Sequence, residues 1–346
     1  MATGRITHVK PASASDSQTP GPADPSELLE VMTGGSTGDA KPLARPANTW
    51  RASAQIESTV FDLSPADRYA VLGSPAHSLW AYVAFRAQQA GSVFIGLQSI
   101  GAPEMARLQN EDITVLYGLP ELVMVLARRL VRSHASLPRL RRVLMGGGPP
   151  PPGLSVEELR QAFPVATCWS FYGAAETSFI AYAALGEPYQ VFPGVDIRMG
   201  EDQLIWVKSP MTITPEAWVN TGDLGQWLDT QKSFMVLGRA VRQLQIKGKK
   251  FPVEQMEQFL SECLKTQRLA LVSDSHGHPC CLLVDDPVPS SGAPTAQRIN
   301  DLIRGQQPGF PLIRRVEVLD QANWPLTSSG KTNWRALQGI ASQTCT

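Results

Sequence analysis

Thr33-Gly34-Gly35-Ser36-Thr37-Gly38-Asp39-Ala40-Lys41 follows directly on a short apolar run, Leu28-Leu29-Glu30-Val31-Met32. Glycines at 34, 35 and 38 let backbone N–H groups turn inward on an anion, and the hydroxyls of Thr33, Ser36 and Thr37 add donors. Lys41 brings a point charge to the end of the same loop. A strand running into such a loop suits an anion cradle in a layered α/β domain. A plain glycine-rich turn fits the stretch equally well. A Walker loop does not, because G-x-x-x-x-G-K-[ST] fails at these positions.

Outward from this loop the chain alternates. Residues 69–73 read as a buried strand and 78–90 as an apolar helix ended by Gly91. Residues 92–95 and 113–117 are further strand candidates. Pro120 opens a helix carried by Leu122, Val123, Val125, Leu126 and Leu130, with Arg128, Arg129 and Arg132 near its end. Residues 142–145 are strand-like and enter Gly146-Gly147-Gly148-Pro149. Strands alternating with helices predict an α/β layered domain. Short strands split by turns follow over 196–227. A second, smaller unit begins after Gly238-Arg239, with helices at 253–265 and 296–304, strands at 269–272 and 280–284, and a Pro/Ser/Gly loop at 287–294. The expected organisation is a disordered leader over 1–26, poor in large apolar side chains, then a core domain over 27–238 and a small α+β domain over 239–346.

The 346 residues suffice for two domains with a sizeable core. Basic and acidic residues number 31 each, so no electrostatic footprint points to nucleic acid or an anionic membrane. No apolar run approaches the roughly 20 residues of a spanning helix, and Met1-Ala2-Thr3-Gly4-Arg5 leads into polar residues rather than a signal-peptide core. Cys168, Cys263, Cys280, Cys281 and Cys345 form no CxxC pair, and the adjacent Cys280 and Cys281 belong on opposite faces of a strand. This set reads as reduced thiols of a cytoplasmic, soluble protein.

Four more motifs follow the glycine-rich loop in order: Tyr172-Gly173-Ala174-Ala175-Glu176, Thr221-Gly222-Asp223, Gly238-Arg239, and Pro325-Leu326-Thr327-Ser328-Ser329-Gly330-Lys331. Together they offer phosphate donors, a carboxylate for a hard dication, a carboxylate and a cation for a sugar, and a late lysine on a turn. Each has a bland counterpart: a solvated Glu on a strand-to-helix turn, a common Asp turn, an exposed lysine. His276-Gly277-His278 lies in a polar turn without a third ligand nearby and reads as surface.

In order and residue type the motifs resemble the adenylate-forming acyl- and aryl-CoA synthetase family, over about residues 31–337. The resemblance implies that family's layered α/β nucleotide-binding domain with a small mobile C-terminal α+β domain. The family loop reads T-S-G-[ST]-T-G-x-P-K; Gly34 and Ala40 depart from it, while Thr33, Gly35, Ser36, Thr37, Gly38 and Lys41 match, implying contacts to the phosphates of ATP. By the same resemblance Tyr172, Gly173, Gly147 and Gly148 hold the adenine and Glu176 reaches Mg2+. Asp223 and Arg239 take the ribose; a carboxylate can accept from both vicinal hydroxyls. His77, in Ser74-Pro75-Ala76-His77-Ser78, corresponds to the residue that gates the carboxylate pocket, whose walls are expected from residues 78–87 and 171–177. Lys331 corresponds to the catalytic lysine that bridges the attacking carboxylate and the α-phosphate. The segment from Gln243 to Phe251 resembles the start of the family's moving domain, with Val241 and Arg242 where an acidic hinge residue is usual.

The activity implied is ATP-dependent activation of an aryl or fatty carboxylic acid to an acyl-adenylate, with transfer to coenzyme A or to the phosphopantetheine of an acyl carrier protein. The second reading is a nucleotide-binding partner protein without turnover, suggested by Ala175, Val241 and a short N-terminal segment ahead of the loop. That short segment also leads us to expect a homo-oligomer or partner covering the missing layer. A phosphate-transferring kinase is excluded for want of its motif set.

Overall fold

A computed structural model of the chain describes residues 6–8, 28–32, 42–151, 153–229, 233–246, 249–266, 268–284, 294–306, 308–326 and 332–343. The glycine-rich loop (Thr33, Gly35, Ser36, Thr37, Gly38, Lys41), Lys331, most of the expected leader and most of the 287–294 loop lie outside the described residues.

Strand β1 (Ile6–His8) pairs in parallel with β2 (Leu28–Met32), which pairs antiparallel with β3 (Pro42–Pro46). Ile6–His8 thus forms a strand within the stretch expected as a leader. Helix α1 (Ala47–Phe61) leaves β3 at once and ends on Asp62, at φ 52°.

Next comes the alternation: β4 (Tyr69–Leu72), α2 (Ser78–Gln89), β5 (Phe94–Leu97), α3 (Ala102–Asn110), β6 (Val115–Gly118), α4 (Pro120–Arg132), β7 (Arg142–Gly146), α5 (Val156–Ala162) and β8 (Thr167–Ala174). These five strands are mutually parallel in the order β8-β7-β6-β4-β5. Pro120 at the first turn of α4 lacks the N–H that would go unpaired there, and Arg129 and Arg132 lie in its last turn, where positive charge suits the helix dipole. Ser155 caps α5 by accepting from Glu158 N–H at 3.2 Å.

The sheet changes sense at β8. Its neighbour β9 (Ser178–Ala184) runs antiparallel, and the remaining strands β10 (Tyr189–Val191), β11 (Asp196–Met199), β12 (Leu204–Lys208), β13 (Val219–Trp227) and β14 (Ser233–Arg239) continue so, completing eleven strands. The central parallel strands β4, β6 and β7 are buried on both faces, as parallel strands covered by helices must be. Along β4, Tyr69 and Val71 join a core with Trp50 and Phe61 of α1 and Tyr82 and Phe85 of α2; Ala70 and Leu72 join one with Leu126 and Leu130 of α4 and Leu159 of α5.

Beyond Arg239 come β15 (Gln243–Ile246), β16 (Lys249–Pro252), α6 (Glu254–Leu264), β17 (Leu269–Ser273), β18 (Pro279–Leu283), α7 (Ala296–Gln306), β19 (Arg315–Val318) and α8 (Trp334–Gln343). Here β17, β18 and β19 form a small sheet between two cores. Cys281 packs with Leu260 and Ile299 on one side, while Cys280 packs with Trp324 and Leu337 on the other, so the two cysteines do face opposite ways.

Candidate active site

Tyr172 lies at the end of β8, four strands from β13 in the sheet order β8-β9-β10-β14-β13. At the usual strand spacing that is roughly 19 Å along a flat sheet. Yet the Tyr172 hydroxyl donates to Asp223 Oδ2 at 2.7 Å, so the antiparallel half curls back over the end of β8. Burial, and then the neighbouring Asp223 carboxylate, push the Tyr172 phenol well above its ordinary value and keep it a donor.

Asp223 and Arg239 are cross-strand partners on β13 and β14. Arg239 Nε lies 2.9 Å from Asp223 Oδ1, and its Nη1 donates to the Thr221 carbonyl at 3.1 Å. Asp223 is 6 % exposed while the Arg239 side chain is 38 % exposed, so the carboxylate is sheltered and the guanidinium reaches solvent. The turn before it is shaped by Gly222 at φ 73°, with Thr221 Oγ1 accepting from the Asp223 N–H at 3.1 Å.

Glu176 lies in the hairpin turn between β8 and β9. The bland reading of a strand-to-helix turn is therefore corrected: both flanking elements are strands. Gly173 is required here, since a Cβ would lie 1.8 Å from the Ser178 carbonyl oxygen. Thr177, buried, closes the turn by accepting from the Ala174 N–H at 3.1 Å. The Glu176 backbone carbonyl accepts from the Ile213 N–H at 2.9 Å. Its half-buried carboxylate accepts no hydrogen bond and joins no ion pair among the described residues. A single free carboxylate suits Mg2+, which keeps waters and takes its other ligands from phosphate; no cluster of three or more ligating side chains exists among the described residues.

Gly147, at φ 87°, and Gly148 leave β7 beside Phe171 of β8. They thus join Tyr172 and Gly173 at the carboxyl ends of the parallel strands, the edge where open α/β sheets take ligands. At the same edge His77 caps α2, its Nδ1 accepting from the Leu79 N–H at 3.2 Å. With Gly73, Ser74, Leu79, Trp80 and Leu119 it lines a cavity of about 10 Å3, room for one water molecule.

One residue escaped the sequence reading. Arg45 of β3 reaches the Glu176 turn by donating to the Ala175 carbonyl at 2.9 Å. The signal for it was a lone cation in an otherwise apolar strand, four places after Lys41.

The family model described as AMP-binding enzyme matches residues 3–203. The chain belongs to the AMP-binding enzyme family. The match begins inside the segment expected to be a leader and stops before Asp223, Arg239 and Lys331. Among curated proteins, the uncharacterized acyl–CoA ligase YhfT of Bacillus subtilis is 26 % identical over 267 residues, covering 70 % of this chain and 54 % of that protein. A 4-coumarate–CoA ligase-like protein of Oryza sativa is 25 % identical, covering 68 % and 49 %. The chain spans about half the length of these relatives. Among solved structures, the amide bond synthetase McbA of Marinactinospora thermotolerans superposes with a TM-score of 0.74 at 20 % identity, over 91 % of this chain and 69 % of that one. The O-succinylbenzoate coenzyme A synthetase of Bacillus subtilis, solved with AMP, gives 0.73 at 20 % identity, over 91 % and 69 %. These likenesses establish the fold as that of adenylate-forming enzymes. Among the described residues no helix is long and apolar enough to cross a membrane.

Proposed function

We propose that this AMP-binding chain activates a carboxylic acid with Mg-ATP to an acyl-adenylate and pyrophosphate, then passes the acyl group to a thiol, coenzyme A or a carrier protein's phosphopantetheine. The observation that carries the reading is the meeting of Tyr172, Asp223 and Arg239, distant in sequence, beside a turn whose carboxylate is free. Asp223, already oriented by Arg239 and Tyr172, is preorganised to accept ribose hydroxyls. Tyr172, Gly173, Gly147 and Gly148 offer a flat surface for the adenine. Glu176 would hold Mg2+, which neutralises phosphate charge when bound. The glycine-rich loop at 33–41 and Lys331 complete the set, with Lys331 offsetting charge that develops at the α-phosphate. His77 stands where the acid would enter.

The relatives named an uncharacterized acyl–CoA ligase and a 4-coumarate–CoA ligase-like protein support this reading. So does the chemistry of the donor set. We further propose that the unit from 239 onward moves relative to the core between the two half-reactions; a linker at Arg239–Arg242 supports this. A cytoplasmic location is supported by free cysteines at 168, 263, 280 and 281. Self-association, checked by light scattering, is supported by the edges at β5 and β11, which no strand among the described residues pairs.

The test is carboxylate-dependent exchange of pyrophosphate into ATP across aryl and aliphatic acids, with Glu176→Ala and Lys331→Ala as controls. Exchange abolished by both substitutions is the expected result. ATP binding without exchange for any acid would replace the enzyme by a nucleotide-binding partner protein.

A further inference from the structure

Arg45 is 1 % exposed, among the largest fully buried side chains of the protein. Its guanidinium spends its donors on neutral oxygens. Nε and Nη2 donate to Thr49 Oγ1 at 3.1 and 2.8 Å, Nη1 to the Ala175 carbonyl at 2.9 Å, and Nη2 to the Met211 carbonyl at 2.7 Å. The Trp50 ring flanks it, 5.1 Å from the guanidinium carbon. No carboxylate among the described residues lies within ion-pair distance. Burial draws its pKa down to about 9, against the pull of Tyr82 and Glu176.

A buried cation without a paired anion is expensive, and a protein that needed only to fill this space would be more stable with an apolar side chain. The geometry of the fork suggests what is gained. Ala175 is the residue before Glu176. Met211 begins the segment whose Ile213 N–H holds the Glu176 carbonyl. Arg45 therefore grips both peptide segments that flank Glu176, and it does so from the strand that leaves the glycine-rich loop. Thr49, one turn into α1, fixes the fork by accepting two of its hydrogen bonds while donating to the Pro46 carbonyl at 2.7 Å.

We propose that Arg45 is a positioning residue that clamps the Glu176 turn against residues 211–213, orienting the Glu176 carboxylate for a divalent cation carried by a nucleotide. The proposal rests on the reading of Glu176 as the metal carboxylate.

The full chain serves for the test, as wild type, Arg45→Lys and Thr49→Val. Lysine keeps the charge but cannot bridge both carbonyls. Two readouts are taken. Amide hydrogen exchange without ligand follows the Ile213 N–H and the 174–178 turn. Electron paramagnetic resonance of Mn2+ with a non-hydrolysable ATP analogue reports metal affinity, alongside binding of the analogue in metal chelator. Arg45→Lys is expected to speed exchange at Ile213 and the turn about tenfold and to weaken Mn2+ binding about tenfold or more, with metal-free analogue affinity unchanged. Thr49→Val is expected to move both readouts the same way by less. Unchanged exchange and Mn2+ affinity in a folded variant would overturn the proposal. So would equal losses with and without metal, which mark general damage. Should Arg45→Lys fail to fold, Thr49→Val alone is judged by the same two criteria. Absence of Mn2+ binding in the wild type would overturn the metal reading of Glu176 and with it the orienting role, while the exchange arm still decides whether Arg45 orders the turn.

Discussion

Replacing Glu254 by Gln should make the protein more stable at pH 8 and leave it unchanged at pH 3.5. Glu254 opens α6 and touches the end of β14: its Oε1 accepts from the Arg239 N–H at 3.1 Å and lies 3.4 Å from Arg242 Nη1, while Oε2 is buried without a partner. Burial raises its pKa from 4.5 to about 7; Arg242 and the Arg239 N–H pull it down, and Glu257 adds to the rise. A carboxyl raised in the folded state binds its proton more tightly there than when unfolded. Stability is therefore favoured below about pH 4.5 and falls as pH climbs through 7. The rise corresponds to about 3 kcal/mol, already net of the attraction to Arg242. With the Glu254 side chain 22 % exposed, solvent screening trims this to about 1–2 kcal/mol. Gln keeps the acceptor for Arg239 and removes the charge. Urea unfolding at pH 3.5, 5.5 and 8 measures the effect: the two proteins should coincide at pH 3.5 and diverge in favour of Gln at pH 8. A Gln variant less stable than wild type at pH 8 by about 1 kcal/mol or more would show that pairing with Arg242 outweighs burial, and the reasoning would be refuted.

Three other substitutions probe the core and the site. Tyr172→Phe removes one donor from Asp223 and should weaken ATP binding by about 1–2 kcal/mol, roughly tenfold, by isothermal titration calorimetry. Gly173→Ala drives a Cβ into the Ser178 carbonyl; it should cost about 1–3 kcal/mol in urea unfolding and degrade nucleotide affinity with it. Glu57 is fully buried, accepts from the Tyr82 and Tyr117 hydroxyls, and lies 3.2 Å from Arg86 Nη1. Glu57→Leu strands that arginine and should cost about 3–5 kcal/mol, much of it recovered by adding Arg86→Met.

Legibility followed the chemistry of the inward face. Where that face is apolar, as in α4 with Val123, Leu126 and Leu130 buried, the helix was read almost to the residue. Helix α1 was missed because its buried stripe runs Ala47, Thr49, Trp50, Ser53, Glu57 and Phe61, half of it polar; periodicity of hydrophobicity cannot register a face satisfied by hydrogen bonds. The same blindness hid Arg45, whose worth lies in carbonyls more than a hundred positions away. The structure sets Asp223 and Arg239 opposite one another in register; they were legible only through the resemblance of their motifs to the family's. The curl that brings Tyr172 to them was not, since no local rule records how far a sheet bends.

The four apolar cores divide cleanly at the end of β14. Every member of two of them precedes residue 237, and every member of the other two follows residue 243. No apolar cluster among the described residues spans the junction, where polar contacts run from the Arg239 N–H to Glu254 Oε1 and from the Ala240 N–H to the Gly222 carbonyl. Hydrophobic cohesion makes melting cooperative; here it is confined to each side. Heat should therefore dismantle the molecule in two calorimetric steps. A ligand gripping only the larger side would raise one of them and leave the other where it stood.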